Sequence, residues 1–229
     1  MGKEIDLLKN YPKSNRNIMM RSEEKTDYHR QIARQFGKEY FDGDRAFGYG
    51  GYTYDPRFWE PVMPTFEDYY LLNKGHRILD VGCGKGFMLY DMRRLIPGIE
   101  VRGIDISQYA FLNSMEDIKP YIDLGNATDL PYNSNSFDLV ISINTIHNLE
   151  QVDCIIALQE IERVSKGNSF IVVDAYRNRH DKEKIDDWNL TALTYLHVDE
   201  WVELFDEAGY SGDYYWFIPW FIRINYFYL

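Results

Sequence analysis

Ile78-Leu79-Asp80-Val81-Gly82-Cys83-Gly84-Lys85-Gly86 is the stretch whose reading decides the fold. A short apolar run ends in an acid, and a glycine-dense turn follows at once. Beyond it Met88, Met92 and Leu95 recur at i, i+4 and i+7, which is helical spacing. The unit reads as strand, tight turn, helix. Glycine gives the turn backbone angles closed to other residues and lets a ligand approach the main chain. The opening turn of a helix also presents unpaired N–H groups at its positive end. Such a place suits a nucleotide-like ligand.

Outward from this unit, strand and helix signals alternate from about residue 66. The spacing predicts a first strand near 77–82, a second over 100–105 and a helix near 108–118 that stops before Pro120. A short third strand is expected near 121–125, a fourth over 137–143 and a fifth over 169–173. Between the last two, Ala157, Ile161 and Val164 share one helical face. Near-continuous apolar strands alternating with helices belong to a parallel sheet covered on both faces. In the tail, Trp201, Leu204, Phe205 and Ala208 mark an amphipathic helix that Gly209 would cap. Tyr214–Ile218 and Arg223–Leu229 then read as two strands too close together for a crossover helix, hence an antiparallel pair. Residues 1–65 carry no such alternation and are expected to form an N-terminal cap or lid, with residues 66–229 as the main domain.

Composition narrows the function. The chain has 229 residues, 45% of them hydrophobic, enough to bury a core. A net charge of -11 argues against a broad phosphate-binding surface, so no nucleic-acid substrate is expected. The two cysteines form no CxxC or Cys/His cluster, so no metal site is expected, and so few cysteines suit a reducing compartment. No apolar run approaches the roughly 20 residues of a membrane span, and the first residues lack a signal-peptide core. A cytoplasmic protein, monomer or homodimer, acting on a small molecule is the expectation.

Two cofactor classes compete for the turn. A dinucleotide site wants G-x-G-x-x-G, but Phe87 stands at the third glycine's place and Gly86 comes early. Gly82-x-Gly84-x-Gly86, led by Asp80, instead resembles the first motif of the class I S-adenosylmethionine-dependent methyltransferases. Three further stretches carry the resemblance. Asp105 ends the second strand, 23 residues beyond Gly82. Gly125-Asn126-Ala127-Thr128-Asp129 stands where the family's third-strand loop reads adenine, with Asn126 in place of the usual Asp. Ser169 to Asp174 supplies the fifth strand in the expected order. The likeness covers about residues 75–175 and is nearest the small-molecule branch that includes the ubiquinone and menaquinone enzymes.

The resemblance implies an α/β fold: a Rossmann-like, seven-stranded, mostly parallel sheet with helices on both faces, an antiparallel C-terminal strand pair and an N-terminal cap. It also implies S-adenosylmethionine as cofactor and methyl transfer to O, N or C of a small molecule. A non-catalytic module that keeps the fold, or a partner subunit, is the alternative. Asp80, Gly82, Gly84, Gly86 and Ile106 would border the cofactor, and Asn144 would face its methionyl part. Asp105 would accept from the ribose hydroxyls, and Asn126 and Ala127 would read the adenine edge. Asp105 as a plain helix cap and Asn126 as a plain turn residue are the competing readings.

The acceptor is expected beyond the fourth and fifth strand ends. His147 is the first candidate base, because imidazole titrates near neutral pH, and a packed or capping histidine is its plain alternative. Tyr176 and Arg177 would orient the substrate, and Trp188 and Asn189 are further candidates. Within the lid, Tyr49, Tyr52 and Trp59 would cover the cofactor, where an aromatic face beside a sulfonium is favourable. Simple capping of the sheet edge would explain them equally.

Overall fold

The computed structural model describes residues 2–12 and 25–218. Among the described residues, four helices precede the sheet: α1 (Asp27–Ala33), α2 (Lys38–Asp42), α3 (Pro56–Trp59) and α4 (Met63–Tyr70). The alternation then begins with β1 (Arg77–Val81), α5 (Phe87–Leu95), β2 (Glu100–Asp105), α6 (Gln108–Leu112), β3 (Ile122–Leu124) and β4 (Leu139–Ile143). It closes with α7 (Gln151–Val164), β5 (Ser169–Tyr176), α8 (Arg179–Trp188), β6 (Leu196–His197), α9 (Val198–Ala208) and β7 (Asp213–Phe217).

Among the described residues the sheet has seven strands, in the order β3-β2-β1-β4-β5, with β6 and β7 sharing the far edge of β5. β7 pairs along Phe170–Asp174 and β6 at Ala175–Tyr176. Chain order reverses between β1 and β4, which is where an open α/β sheet leaves a crevice at its carboxyl edge.

Successive residues of a strand point to opposite faces, and the two cores follow from that. Leu79, Val81, Val140, Ile171 and Val173 pack against Ala157, Leu158 and Ile161 of α7 and against Trp201 and Phe205 of α9. Ile78, Leu139, Ile141, Phe170 and Val172 face the other way, onto Met88, Leu89 and Met92 of α5. Leu7, Val62, Met63 and Phe66 belong to that second core, so packing draws no line at residue 65. The first residues even extend the sheet. The Ile5 N–H donates to the Tyr214 carbonyl (2.9 Å) and the Tyr214 N–H to the Lys3 carbonyl (3.1 Å).

Every strand pairing among the described residues is parallel, β7 with β5 included. The antiparallel pair expected of Tyr214–Ile218 with Arg223–Leu229 has its second member outside those residues. Two local expectations change. The helix expected to reach residue 118 stops at Leu112, where the Ser114 hydroxyl donates to the Phe111 carbonyl (2.8 Å) and competes with the helical ladder. The fifth strand runs on to Tyr176, buried along nearly all its length. Gly209 does take the left-handed conformation (φ 69°) and cap α9.

Candidate active site

The turn after β1 is shaped by its three glycines, all with positive φ: 85° at Gly82, 56° at Gly84 and 77° at Gly86. A side chain at Gly82 would place its Cβ 2.0 Å from Thr145 Oγ1. Here β1 and β4 come together so closely that glycine alone fits. At Gly86 an added Cβ would meet Ile122 Cδ1 at 2.7 Å, so this glycine lets α5 pack on the sheet.

Above the strand tips lies a cavity of about 890 Å3. Its floor comes from the turn after β1, the end of β2, the loop after β3 and the segment following β4. Its roof comes from residues 36–59. Of the twelve residues expected around a cofactor, eleven line it: Asp80, Gly82, Gly84, Asp105, Ile106, Asn126, Ala127, Asn144, Tyr49, Tyr52 and Trp59. Gly86 does not, and its role is the packing just described.

Asp105 is held from below. The Gly84 N–H donates to its Oδ2 (2.7 Å) and the Ser107 N–H to its Oδ1 (2.8 Å). The helix cap is Ser107, whose hydroxyl accepts from the Ala110 N–H (3.0 Å), so Asp105 does not cap α6 itself. Asn126 serves a turn and the cavity at once. Its Oδ1 accepts from the Thr128 N–H (3.1 Å), closing a local turn, and the residue still borders the cavity. Asn144 sits in the left-handed region (φ 54°), which Asn tolerates better than most residues. Its carbonyl accepts from Asn148 Nδ2 (3.2 Å). Burial, aided by the nearby Asp105 charge, pushes the Asp80 carboxyl up to about 8.

The catalytic candidates are corrected. His147 is buried, does not border the cavity and is held by other strands and loops through its Nδ1 and its carbonyl. Its Nδ1 accepts the Asp174 N–H (2.8 Å), and its carbonyl accepts from the Leu193 and Thr194 N–H groups (3.0 Å each). Burial lowers its pKa against the opposing pull of Asp174, so the ring is neutral and already committed as an acceptor. Tyr176 also lies elsewhere. Its hydroxyl donates to Glu200 Oε2 (3.4 Å) and its ring meets His197 edge-on. Arg177 pairs with Glu4 (2.5 Å), and the Asn189 amide closes a turn on the Ala192 backbone.

Several lining residues carried no signal of their own in the sequence. Tyr11 packs edge-on to Trp59, with ring centroids 5.0 Å apart, and both border the cavity with Phe58. Tyr40 contacts Tyr49 (5.1 Å), and Tyr49 contacts Tyr52 (4.3 Å). Burial pushes the Tyr40 phenol up to about 12, and its hydroxyl interacts with that of Tyr49. A cluster of tyrosines drawn from residues 11, 40, 49 and 52 has no fixed sequence period, so only the folded chain assembles it.

A parallel sheet, a glycine turn, an acid at the second strand's tip and a cavity over all three define a Rossmann-like α/β protein with its main cavity at the carboxyl edge. The chain belongs to the methyltransferase-domain family, whose model matches residues 72–209. It is 32% identical over 162 residues to a demethylmenaquinone methyltransferase of Symbiobacterium thermophilum, covering 67% of this chain and 61% of that one. It is 31% identical over 146 residues to a tRNA (carboxymethyluridine(34)-5-O)-methyltransferase of Arabidopsis thaliana, covering 63% of this chain and 34% of that one. The chain thus spans less than two thirds of either relative. Among solved structures, the YcgJ protein of Bacillus subtilis matches with a TM-score of 0.53 at 18% identity, over 64% of this chain and 66% of that one, which shows the shared fold. Among the described residues, no helix is long and apolar enough to cross a membrane.

Proposed function

We propose that this chain transfers a methyl group from S-adenosylmethionine to an O, N or C atom of a small-molecule acceptor. The observation that carries the reading is one cavity of about 890 Å3 bordered at once by the Gly82–Gly84 turn, the Asp105 carboxylate and the Asn126–Ala127 loop. That volume lies within the roughly 300–1,000 Å3 usual for ligand sites. Asp105 would accept from the ribose hydroxyls, since its oxygens keep lone pairs beyond those the backbone uses. Asn126 and Ala127 would meet the adenine edge, and the exposed side chain of Ile106 its face. Asp80 would face the cationic methionyl end. When bound, the sulfonium supplies an activated methyl carbon.

What the protein then contributes is alignment and exclusion of water, together worth roughly 7–11 kcal/mol in favourable cases. Leu8, Tyr11, Phe58, Trp59 and Phe217 line the cavity beside Ile143 and Asn144, and such walls suit a flat or apolar acceptor. No histidine borders the cavity among the described residues. An acceptor that is already ionised, or that reacts at carbon, fits those surroundings best. The net charge of -11 favours a small acceptor over RNA.

Calorimetry with S-adenosylmethionine and S-adenosylhomocysteine tests the cofactor. Micromolar binding, about -8 kcal/mol, is expected. Folded protein that binds neither would remove the reading. Incubation with methyl-labelled cofactor and a fractionated cell extract tests the acceptor. Label should enter the small-molecule fraction, and label confined to RNA would overturn the acceptor class.

A further inference from the structure

Lys85 sits inside the glycine turn, yet it does not border the cavity. Its side chain reaches across to the roof and is buried. The ammonium donates to Asp42 Oδ2 (2.7 Å) and to the Tyr52 carbonyl (2.8 Å). The Asp42 carboxylate is shared by three elements. Its Oδ2 also accepts the Tyr109 hydroxyl of α6 (2.8 Å), and its Oδ1 accepts the Tyr52 N–H (2.9 Å). The Lys85 ammonium lies 6.0 Å from the Tyr52 ring centre and 5.8 Å from that of Tyr109.

Tyr52 is therefore held on both sides of its main chain, by Asp42 at the N–H and by Lys85 at the carbonyl. Its ring borders the cavity, packs on Phe87 (4.8 Å) and on Tyr49 (4.3 Å), and stands 3.4 Å from where a Cβ on Gly84 would be. The knot joins the glycine turn, the roof and the segment that follows Asp105. Lys85 is buried and Asp42 half-buried, so removing the carboxylate leaves a buried ammonium without its partner, which is costly.

We propose that Lys85 and Asp42 are positioning residues: the pair clamps the Tyr49–Tyr52 segment over the cofactor cavity and so sets how long an adenosyl ligand is retained. The proposal rests on the functional reading above for its ligand. The clamp itself is a property of the ligand-free chain. Charge and geometry agree on it. Lys85 reaches the roof only by leaving the cavity, and Tyr52 has both backbone groups committed to the pair. Neither residue borders the cavity, so the pair acts on binding rather than on the transfer step.

Lys85→Met keeps the aliphatic stem and removes the charge, and Asp42→Asn keeps an acceptor for the Tyr52 N–H. Two measurements are made on the full chain. Trypsin cleavage after Arg45 in ligand-free protein should speed up about tenfold in either variant. The dissociation constant for S-adenosylhomocysteine should rise about tenfold, with the double variant little worse than the worse single one, because both changes open the same clamp. In a transfer assay the loss should fall on KM for the cofactor and not on kcat. Should Lys85→Met fail to fold, Tyr109→Phe removes one hydroxyl from the same carboxylate and should move both readings about threefold. Wild-type and variant proteins that bind the ligand equally and are cut at the same rate would overturn the clamp. A wild-type protein that binds no S-adenosylhomocysteine, with variants still cut faster, would keep the clamp and defeat the functional reading instead.

Discussion

The floor and the roof of the cavity are built by different means. The floor is built on main chain: the positive-φ glycines Gly82 and Gly84, a left-handed Asn144 and an Asp105 carboxylate gripped by two backbone N–H groups. The roof is side chain. It hangs from Lys85 and Asp42, from the Ser107 hydroxyl donating to the Phe36 carbonyl (2.5 Å), and from the Arg34 guanidinium donating to the carbonyls of Thr191 (3.3 Å) and Ala192 (3.2 Å). A main-chain floor is fixed by the sheet and cannot move without unfolding it. A roof tied by a few polar pairs can open while the sheet stands. Rigid recognition below and adjustable closure above follow from that division.

The same substitution made in both places tests it most severely. Gly82→Ala puts a Cβ against Thr145 in a strained backbone and should destabilise by about 3 kcal/mol, lowering Tm by about 6–12 °C. Gly51→Ala in the roof meets nothing within 4 Å and carries only the strain of its φ of 105°. It should cost about 1 kcal/mol. Equal melting shifts for the two would erase the distinction. On the binding side, Asp105→Ala should weaken S-adenosylhomocysteine by about 1.5–3 kcal/mol, roughly 10- to 150-fold. Tyr49→Phe, which removes a roof hydroxyl, should change it less than about threefold. A loss of a few tenths of a kcal/mol at Asp105 would mean that its carboxylate serves Gly84 and Ser107 alone.

The division also explains what the sequence disclosed. The glycine turn, Asp105 and the Asn126–Ala127 loop were legible because each is a short-range backbone device at a strand end. The two faces of the sheet were legible from apolar spacing. The clamp was not, because Lys85 and Asp42 are 43 positions apart and no local pattern links them. His147 misled for a related reason. Its position after the fourth strand was right for a base, but the Asp174 N–H that takes its Nδ1 belongs to another strand. That β7 runs parallel to β5 follows from its reaching β5 through α9, a connection between strands too far apart in sequence for a local pattern to fix. Ser114 shortened α6 through one hydroxyl, too small a signal to outweigh the run toward Pro120.

His147 yields a prediction that separates the site from its scaffold. His147→Ala leaves the buried Asp174 N–H without its partner, which should cost about 2 kcal/mol and lower Tm by roughly 4–8 °C. Turnover with saturating cofactor should stay within twofold of wild type at a temperature where both are folded. A tenfold fall in turnover with the fold intact would return His147 to the reaction.

The smallest expected effect concerns a proton, and it too distinguishes floor from roof. Asp80 titrates near 8 in the ligand-free protein because burial and the Asp105 charge disfavour its ionised form. A raised carboxyl pKa means that at pH 7 most molecules hold a proton there. A ligand with a cationic methionyl end favours the carboxylate and pulls that pKa down, so binding should release a proton. Affinity should then rise as pH goes from 7 toward 8 and level off beyond it, by up to about 1.4 kcal/mol for one unit of pKa. The roof tyrosines cannot supply this proton. Burial raises Tyr52, and the neighbouring Tyr40 together with burial raises Tyr49, well above their ordinary values, so both stay neutral over that range. Cys83, also pushed up by burial, stays protonated. Calorimetry of S-adenosylmethionine binding in phosphate and in Tris, whose ionisation heats differ, should therefore give different heats for the wild type and matching heats for Asp80→Asn. Matching heats for the wild type would mean that Asp80 does not face the cation, and the orientation of the cofactor along the floor would have to be reversed.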